Sequence, residues 1–198
     1  SFTSNPVCQG FSSELTGSFT QGESPSKGVD IWQWDILPNI DTNTISNTFT
    51  NCNYNNVNLT VTDSAGCTAS YNDAVFIYCN PDAEIFAENK CEDNQPINFI
   101  DTSTAGTGGI AAWDWEILYD GEYNSPDTNT TQDPDFTFES CGVKTVYLTV
   151  TDSLNCTNRD TFNLEVYCLA EPLFTFTNVC LDSTMYFTDQ STPVVPIT

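Results

Sequence analysis

The chain has 198 residues, with 27 acidic against 4 basic side chains, no histidine and a formal net charge of −23. That balance argues against binding nucleic acid or anionic membranes, which attract Lys and Arg, and the lack of histidine excludes Ser-His-Asp and Cys-His catalytic machinery. Aromatic content of 13% separates it from disordered acidic chains, which lack the apolar mass to build a core.

The first residues, SFTSNPVC, carry neither the basic nor the apolar region of an export signal. The expectation is a mature segment whose export signal lies outside this sequence. After Cys8, IWQWDI (31–36) sets Trp32, Trp34 and Ile36 in alternation with polar residues, and NTFTNC ends at Cys52. Val57, Leu59 and Val61 alternate with Asn58, Thr60 and Thr62, the period-two pattern of a half-buried strand. Ser64-Ala65-Gly66 then predicts a hairpin turn, with Gly66 left-handed, and VFIYC ends at Cys79. From Cys91 the same order returns: AWDWEI (112–117), FTFESC ending at Cys141, and LEVYC ending at Cys168. LTVTDSLNCT (148–157) matches LTVTDSAGCT (59–68) at eight of ten positions, with Asn155 in the place of Gly66. PLFTFTNVC, ending at Cys180, and MYFTDQST echo AEIFAENKC and INFIDTST.

Internal repetition of this kind marks a tandem array. The predicted domains are 1–79, 80–168, and the first strands of an incomplete third over 169–198. The third contains no WxW, LTVTDS or terminal YC segment, so it is expected to be completed either further along a longer array or by a neighbouring chain. No stretch has helical periodicity, and no apolar run approaches the ~18 residues of a membrane span. About seven short strands per repeat, punctuated by Asn, Asp, Gly and Pro, predict an all-β chain of tandem Ig-like sandwiches.

The succession INFIDTST, WDWEILYDG, PDFTFESCG and VYLTVTDS resembles the PKD domain, an Ig-like β-sandwich found in tandem in extracellular proteins. Against that family's W-D-F-G-D-G signature the second repeat keeps Trp115, Glu116, Ile117 and Tyr119-Asp120-Gly121, whereas the first departs as Trp34-Asp35-Ile36-Leu37-Pro38, without glycine. The cysteine-bearing form is similar to repeats of very large bacterial surface adhesins and gliding-type filaments. The resemblance implies a secreted or cell-surface spacer, scaffold or adhesive segment. The alternative it implies is a spacer or substrate-binding module of a secreted polysaccharide- or protein-degrading enzyme. Expected partners are neighbouring copies of the repeat, and surface glycans or other cells.

Nine cysteines without a C-x2-C pair predict disulfides in an oxidising compartment rather than zinc ligation. Counting outward from the hairpin turn sets Cys52 opposite residue 78 or 79, which predicts Cys52–Cys79 and, in the second copy, Cys141–Cys168. Cys67 sits at the turn, whereas Cys8 lies between the first two strands, at the far pole of an Ig-like fold. For Cys8, Cys67, Cys91 and Cys156 both same-repeat pairing and a bond across repeats, such as Cys8 to Cys156, stay open. Cys180 is expected to find its partner beyond these residues.

Other candidate sites have a simpler reading beside them. Asp114, Glu116 and Asp120 offer hard oxygen ligands for Ca²⁺, against solvated surface carboxylates, with no D-x-D-x-D-G loop to favour the ion. Ser64, Ser153 and Ser183 each follow an Asp in a pattern resembling bacterial O-glycosylation acceptors, against plain turn chemistry. Asn58, Asn129 and Asn155 open N-x-S/T sequons, which an Asn- and Thr-rich chain also forms by chance. No resident cofactor and no catalytic set are expected. The paired tryptophans read as core before they read as a sugar platform.

Overall fold

The computed structural model of the chain describes residues 1–19, 29–38, 40–91, 95–119, 122–138 and 140–191. Every regular element among them is a β-strand. Contacts divide the chain into two compact units. The first takes in Ser1–Asp82, Thr104–Ala111 and Val150–Asn158; the second takes in Ala83–Ser103, Ala112–Thr149 and Arg159–Thr198.

The first unit contains β1 (Phe2–Ser4), β2 (Val7–Cys8), β3 (Ser12–Gly17), β4 (Val29–Trp34), β5 (Thr44–Thr48), β6 (Asn53–Asp63) and β7 (Thr68–Tyr78). They form two sheets, β1-β3-β5 and β2-β7-β6-β4. Side chains alternate across a strand, so each sheet turns one apolar face inward. Phe2, Leu15 and Ile45 from the first sheet meet Trp34, Val57, Leu59, Val75 and Ile77 from the second in one buried cluster. This is an Ig-like sandwich core. The β6–β7 hairpin is paired without a slip from Thr62↔Thr68 to Asn53↔Ile77, so the turn sets the position of every residue down to the far end. β2 lies parallel to the end of β7, with Cys8 beside Tyr78.

The second unit is built from β8 (Ile85–Phe86), β9 (Lys90–Cys91), β10 (Ile97–Asn98), β11 (Ile100–Asp101), β13 (Glu122–Asn129), β14 (Asp135–Phe136) and most of β12 (Ile110–Tyr119), β15 (Gly142–Asp152) and β16 (Thr157–Tyr167), whose residues 110–111, 150–152 and 157–158 belong to the first. Its large sheet has the order β13-β12-β15-β16-β9, and two short pairs, β8 with β11 and β10 with β14, complete it. Phe99 is fully buried and packs edge-on against Trp115 and Phe136, at centroid distances of 5.9 and 5.6 Å. Ile117, Val146, Leu148, Leu164 and Val166 close the core. β9 lies parallel to the end of β16, with Cys91 beside Tyr167. That is the relation Cys8 has to Tyr78.

The same unit carries β17 (Phe174–Phe176) and β18 (Phe187–Asp189), paired with Phe174 opposite Asp189. The repeat alignment makes these Ile85 and Asp101, which are opposite each other in β8 and β11. Asp101 accepts a hydrogen bond from the Ser103 amide, and Asp189 one from the Ser191 amide. Residues 172–191 therefore repeat the opening pair of the second repeat in the same register. Phe187 is 65% exposed where Phe99 is buried.

Candidate functional site

The hairpin tips are where the recurring LTVTDS motif acquires its geometry. At the first tip, the Asp63 carboxylate accepts hydrogen bonds from the amides of Ala65 (2.8 Å) and Cys67 (2.9 Å). At the second, Asp152 accepts from Leu154 (2.9 Å) and Cys156 (2.8 Å). Gly66 and Asn155 take the left-handed conformation that each turn requires, with φ of 84° and 63°. Asparagine tolerates this region better than other side chains do, which is why it can stand in for glycine. The carboxylate holds the turn and, through the cysteine's own amide, fixes the cysteine just before its strand begins.

Three disulfides are present among the described residues. Cys52 bonds Cys79 and Cys141 bonds Cys168, each with a sequence separation of 27 and a Cα–Cα distance of 4.8 Å. Both sit at the end of a hairpin remote from its turn. The third joins Cys8 of the first repeat to Cys156 of the second, with a Cα–Cα distance of 5.5 Å and a sequence separation of 148. Both of its halves belong to the first compact unit. Cys67, Cys91 and Cys180 are exposed free thiols.

The surroundings of Cys156 are well ordered by hydrogen bonds. Its residue is fully buried, and Asp152 is 2% exposed. The second oxygen of Asp152 accepts from the Gly108 amide, and the Ser153 amide donates to the Gly109 carbonyl. A Cβ on Gly108 would run into the Asp152 carboxylate, and one on Gly106 would overlap the Cys79 carbonyl. Thr107 holds Cys79 from both sides, its hydroxyl accepting from the Cys79 amide and its own amide donating to the Cys79 carbonyl. No motif in the sequence marks this loop as part of a site; its signal is the glycine-rich run AGTGG (105–109), since repeated glycines mark close backbone approach.

The remaining candidates divide. Trp34 and Trp115 are buried, and each indole N–H donates to a backbone carbonyl, of Thr42 and Thr131 respectively. They are core residues. Trp113 donates to the Asp101 carboxylate at 2.7 Å. Glu116 pairs with Arg159 at 2.7 Å, and that guanidinium lies 4.0 Å over the Tyr147 ring. Asp114 is exposed, and Asp120 lies outside the described residues. Among the described residues no three His, Cys, Asp or Glu side chains are grouped to hold a metal ion. Ser64 and Ser153 are exposed on the hairpin turns and Ser183 is exposed beside Asp182, which takes a left-handed φ of 70°. Asn58 is half-buried and accepts from the Thr60 hydroxyl, while Asn129 accepts from both the amide and the hydroxyl of Thr131. Two exposed groups have shifted acidity. Hydrogen bonding to Asp73 raises the Tyr71 hydroxyl above the usual tyrosine value, and hydrogen bonds from Ser191 lower Asp189 below the usual aspartate value. No described helix is long and apolar enough to cross a membrane.

Comparison with known proteins gives one family match: residues 78–166 fit the family model of the PKD domain. No curated protein matches the chain. Among solved structures, the fibronectin(III)-like modules of Clostridium thermocellum CbhA are 13% identical, with 85% of this chain and 95% of that chain covered and a TM-score of 0.34. Three N-terminal domains of the highly immunogenic outer capsid protein (Hoc) of bacteriophage RB49 are 15% identical, with 99% of this chain and 69% of that one covered and a TM-score of 0.45.

Proposed function

Residues 78–166 being a PKD domain, a module of extracellular structural or adhesive type, we propose that the chain is a disulfide-braced segment of a stalk or filament that projects from a cell surface. The observation that carries this reading is the Cys8–Cys156 bond, which ties one repeat covalently to the next. Tension applied between the chain ends runs from residue 8 through the sulfur bridge to residue 156. Residues 9–155 lie outside that load path. A domain that serves only as a passive tether between catalytic modules has no need of such a bypass.

The side-chain chemistry fits the same role. A net charge of −23 keeps adjacent filaments from clumping. Disulfides persist in the oxidising extracellular environment. The exposed turn serines, Ser64 and Ser153, offer glycosylation sites at the hairpin tips.

Immunogold electron microscopy of the producing cell, with antibody against residues 80–168, tests the proposal. Gold on fibres extending from the envelope is the expected result. Gold confined to a soluble secreted fraction that co-purifies with polysaccharide- or protein-degrading activity would replace this reading with that of an enzyme's spacer or substrate-binding module.

A further inference from the structure

The three free cysteines fall into a pattern when each is placed by its position in the repeat. Cys8, Cys91 and Cys180 are the first cysteines of their repeats, and Cys67 and Cys156 are the third. The one bond between these classes, Cys8–Cys156, joins the first cysteine of a repeat to the third cysteine of the repeat that follows. Applied to the others, the same relation gives Cys67 a partner in a preceding repeat, and gives Cys91 and Cys180 partners in following ones. We infer that Cys67, Cys91 and Cys180 are the open halves of a repeating, directional disulfide link, and that the partner of each is the matching cysteine of another copy of this repeat.

Local geometry supports the assignment at both kinds of position. Cys91 is set on a short strand parallel to β16, beside Tyr167, as Cys8 is set beside Tyr78 on β7. Cys67 leaves a turn held by Asp63 through the same two amide hydrogen bonds that Asp152 makes at the turn before Cys156. Cys67 and Cys91 therefore each have the backbone setting of a cysteine that is bonded in this molecule. What differs is cover: Cys156 is fully buried, whereas Cys67 and Cys91 are exposed. Beside Cys67, Phe19, Val29, Val61 and Ala69 line a shallow apolar depression on which a partner can seat.

Closure of each link is an oxidation and needs an oxidant, here a small disulfide such as oxidised glutathione. One protein thiolate attacks the glutathione disulfide, forming a mixed disulfide and releasing one glutathione thiolate. The second protein thiolate attacks the protein sulfur of that mixed disulfide and releases the other. One sulfur–sulfur bond breaks in the oxidant and one forms in the protein. The two protons leave the cysteines and end on two glutathione thiols.

Single-thiol forms of the 198-residue chain test the pairing rule. Cys67→Ser/Cys180→Ser keeps Cys91, Cys91→Ser/Cys180→Ser keeps Cys67, and Cys67→Ser/Cys91→Ser keeps Cys180. These are mixed in pairs with oxidised and reduced glutathione and followed by non-reducing electrophoresis. The Cys91 form with the Cys67 form, and the Cys180 form with the Cys67 form, are expected to cross-link about tenfold faster than any form with itself, because docking raises the local thiol concentration. The Cys91 and Cys180 forms, both of the first class, gain nothing on mixing. Equal rates in every pairing, or glutathione adducts alone, would overturn the rule. Peptide mapping of the native protein then separates the two sources of partner. A Cys91–Cys67 peptide means a second copy of this chain, and a link to a related peptide outside these residues means a repeat elsewhere. Free thiols at all three positions in the native protein also overturn the rule. The rule applies to any tandem arrangement, so its failure and the failure of the surface-filament reading are distinguishable.

Discussion

The two hairpin tips, Asp63–Cys67 and Asp152–Cys156, share sequence, turn conformation and the same pair of carboxylate-to-amide hydrogen bonds. They differ in what lies against them. Asp152 uses its second oxygen on Gly108, Ser153 donates to Gly109, and Cys156 is bonded to Cys8. Cys67 is an exposed thiol. A strand, turn and cysteine can therefore be written twice and folded twice alike while only one copy becomes a covalent link. The difference lies in the neighbour, and the local code is silent on it.

The sharpest way to break this comparison is mechanical. Pulled by its ends with all disulfides intact, the chain can extend only through residues 1–8 and 156–198, roughly 180 Å at about 3.5 Å per residue. Cys8→Ser/Cys156→Ser, with the two hairpin disulfides kept, is expected to extend to roughly 510 Å. Single-molecule force spectroscopy reads this directly. Equal extensions would remove the load bypass.

Equilibrium stability gives the next effect. Removing the Cys8–Cys156 bond should cost the first unit about 5 kcal/mol in the chain-entropy account of a loop with separation 148. Cys67→Ser should leave it unchanged to within about 0.5 kcal/mol, as for an exposed substitution without partners. Denaturant titration under non-reducing conditions compares the two variants. A similar loss in both would mean that Cys67 is more than an exposed thiol.

The aspartates sharpen the comparison further. Asp152→Ala breaks three hydrogen bonds, two of them buried, and should cost about 3 kcal/mol, against about 1 kcal/mol for Asp63→Ala at the more exposed tip. Thermal melts of the paired variants check the ranking. At the adjacent turn position, Gly66→Ala should destabilise by about 1 kcal/mol, because alanine is strained at a φ of 84°. Asn155→Gly should be neutral or stabilising by a few tenths of a kcal/mol, since glycine removes strain but loosens the unfolded chain.

The smallest effect concerns the turn that the second and third repeats share. Hydrogen bonds from Ser191 hold Asp189 below the usual aspartate value. A depressed folded value means that the ionised form is favoured by folding. Its contribution is therefore complete above the unfolded value and is lost as pH falls through the folded one. Carboxyl chemical shifts followed by NMR should show Ser191→Ala moving the Asp189 midpoint upward, toward the ordinary range.

Much of the molecule is legible in its sequence because the signals are short-ranged. Val57, Leu59 and Val61 show their strand by alternation, and Gly66 shows its turn. From that turn the pairing register runs to Asn53↔Ile77 without a bulge, so the positions of Cys52 and Cys79 at one hairpin end follow from counting. Trp34 and Trp115 are readable for the same reason: an indole on the inward face of a strand is buried wherever a second sheet covers it. The AGTGG loop was not legible as part of a site. Its glycines report close approach but not what is approached, and the groups they meet are the Cys79 carbonyl and the Asp152 carboxylate, far off in sequence.

Sequence alone determined that this chain is an all-β tandem array with cysteines at fixed places in each repeat, since period, turn chemistry and repetition are local properties carried by neighbouring residues. Only the tertiary structure decided that Cys8 meets Cys156 and that Cys67 is left open. Closing a separation of 148 residues depends on which surfaces the folded strands bring within about 6 Å of one another, and no local pattern encodes that distance.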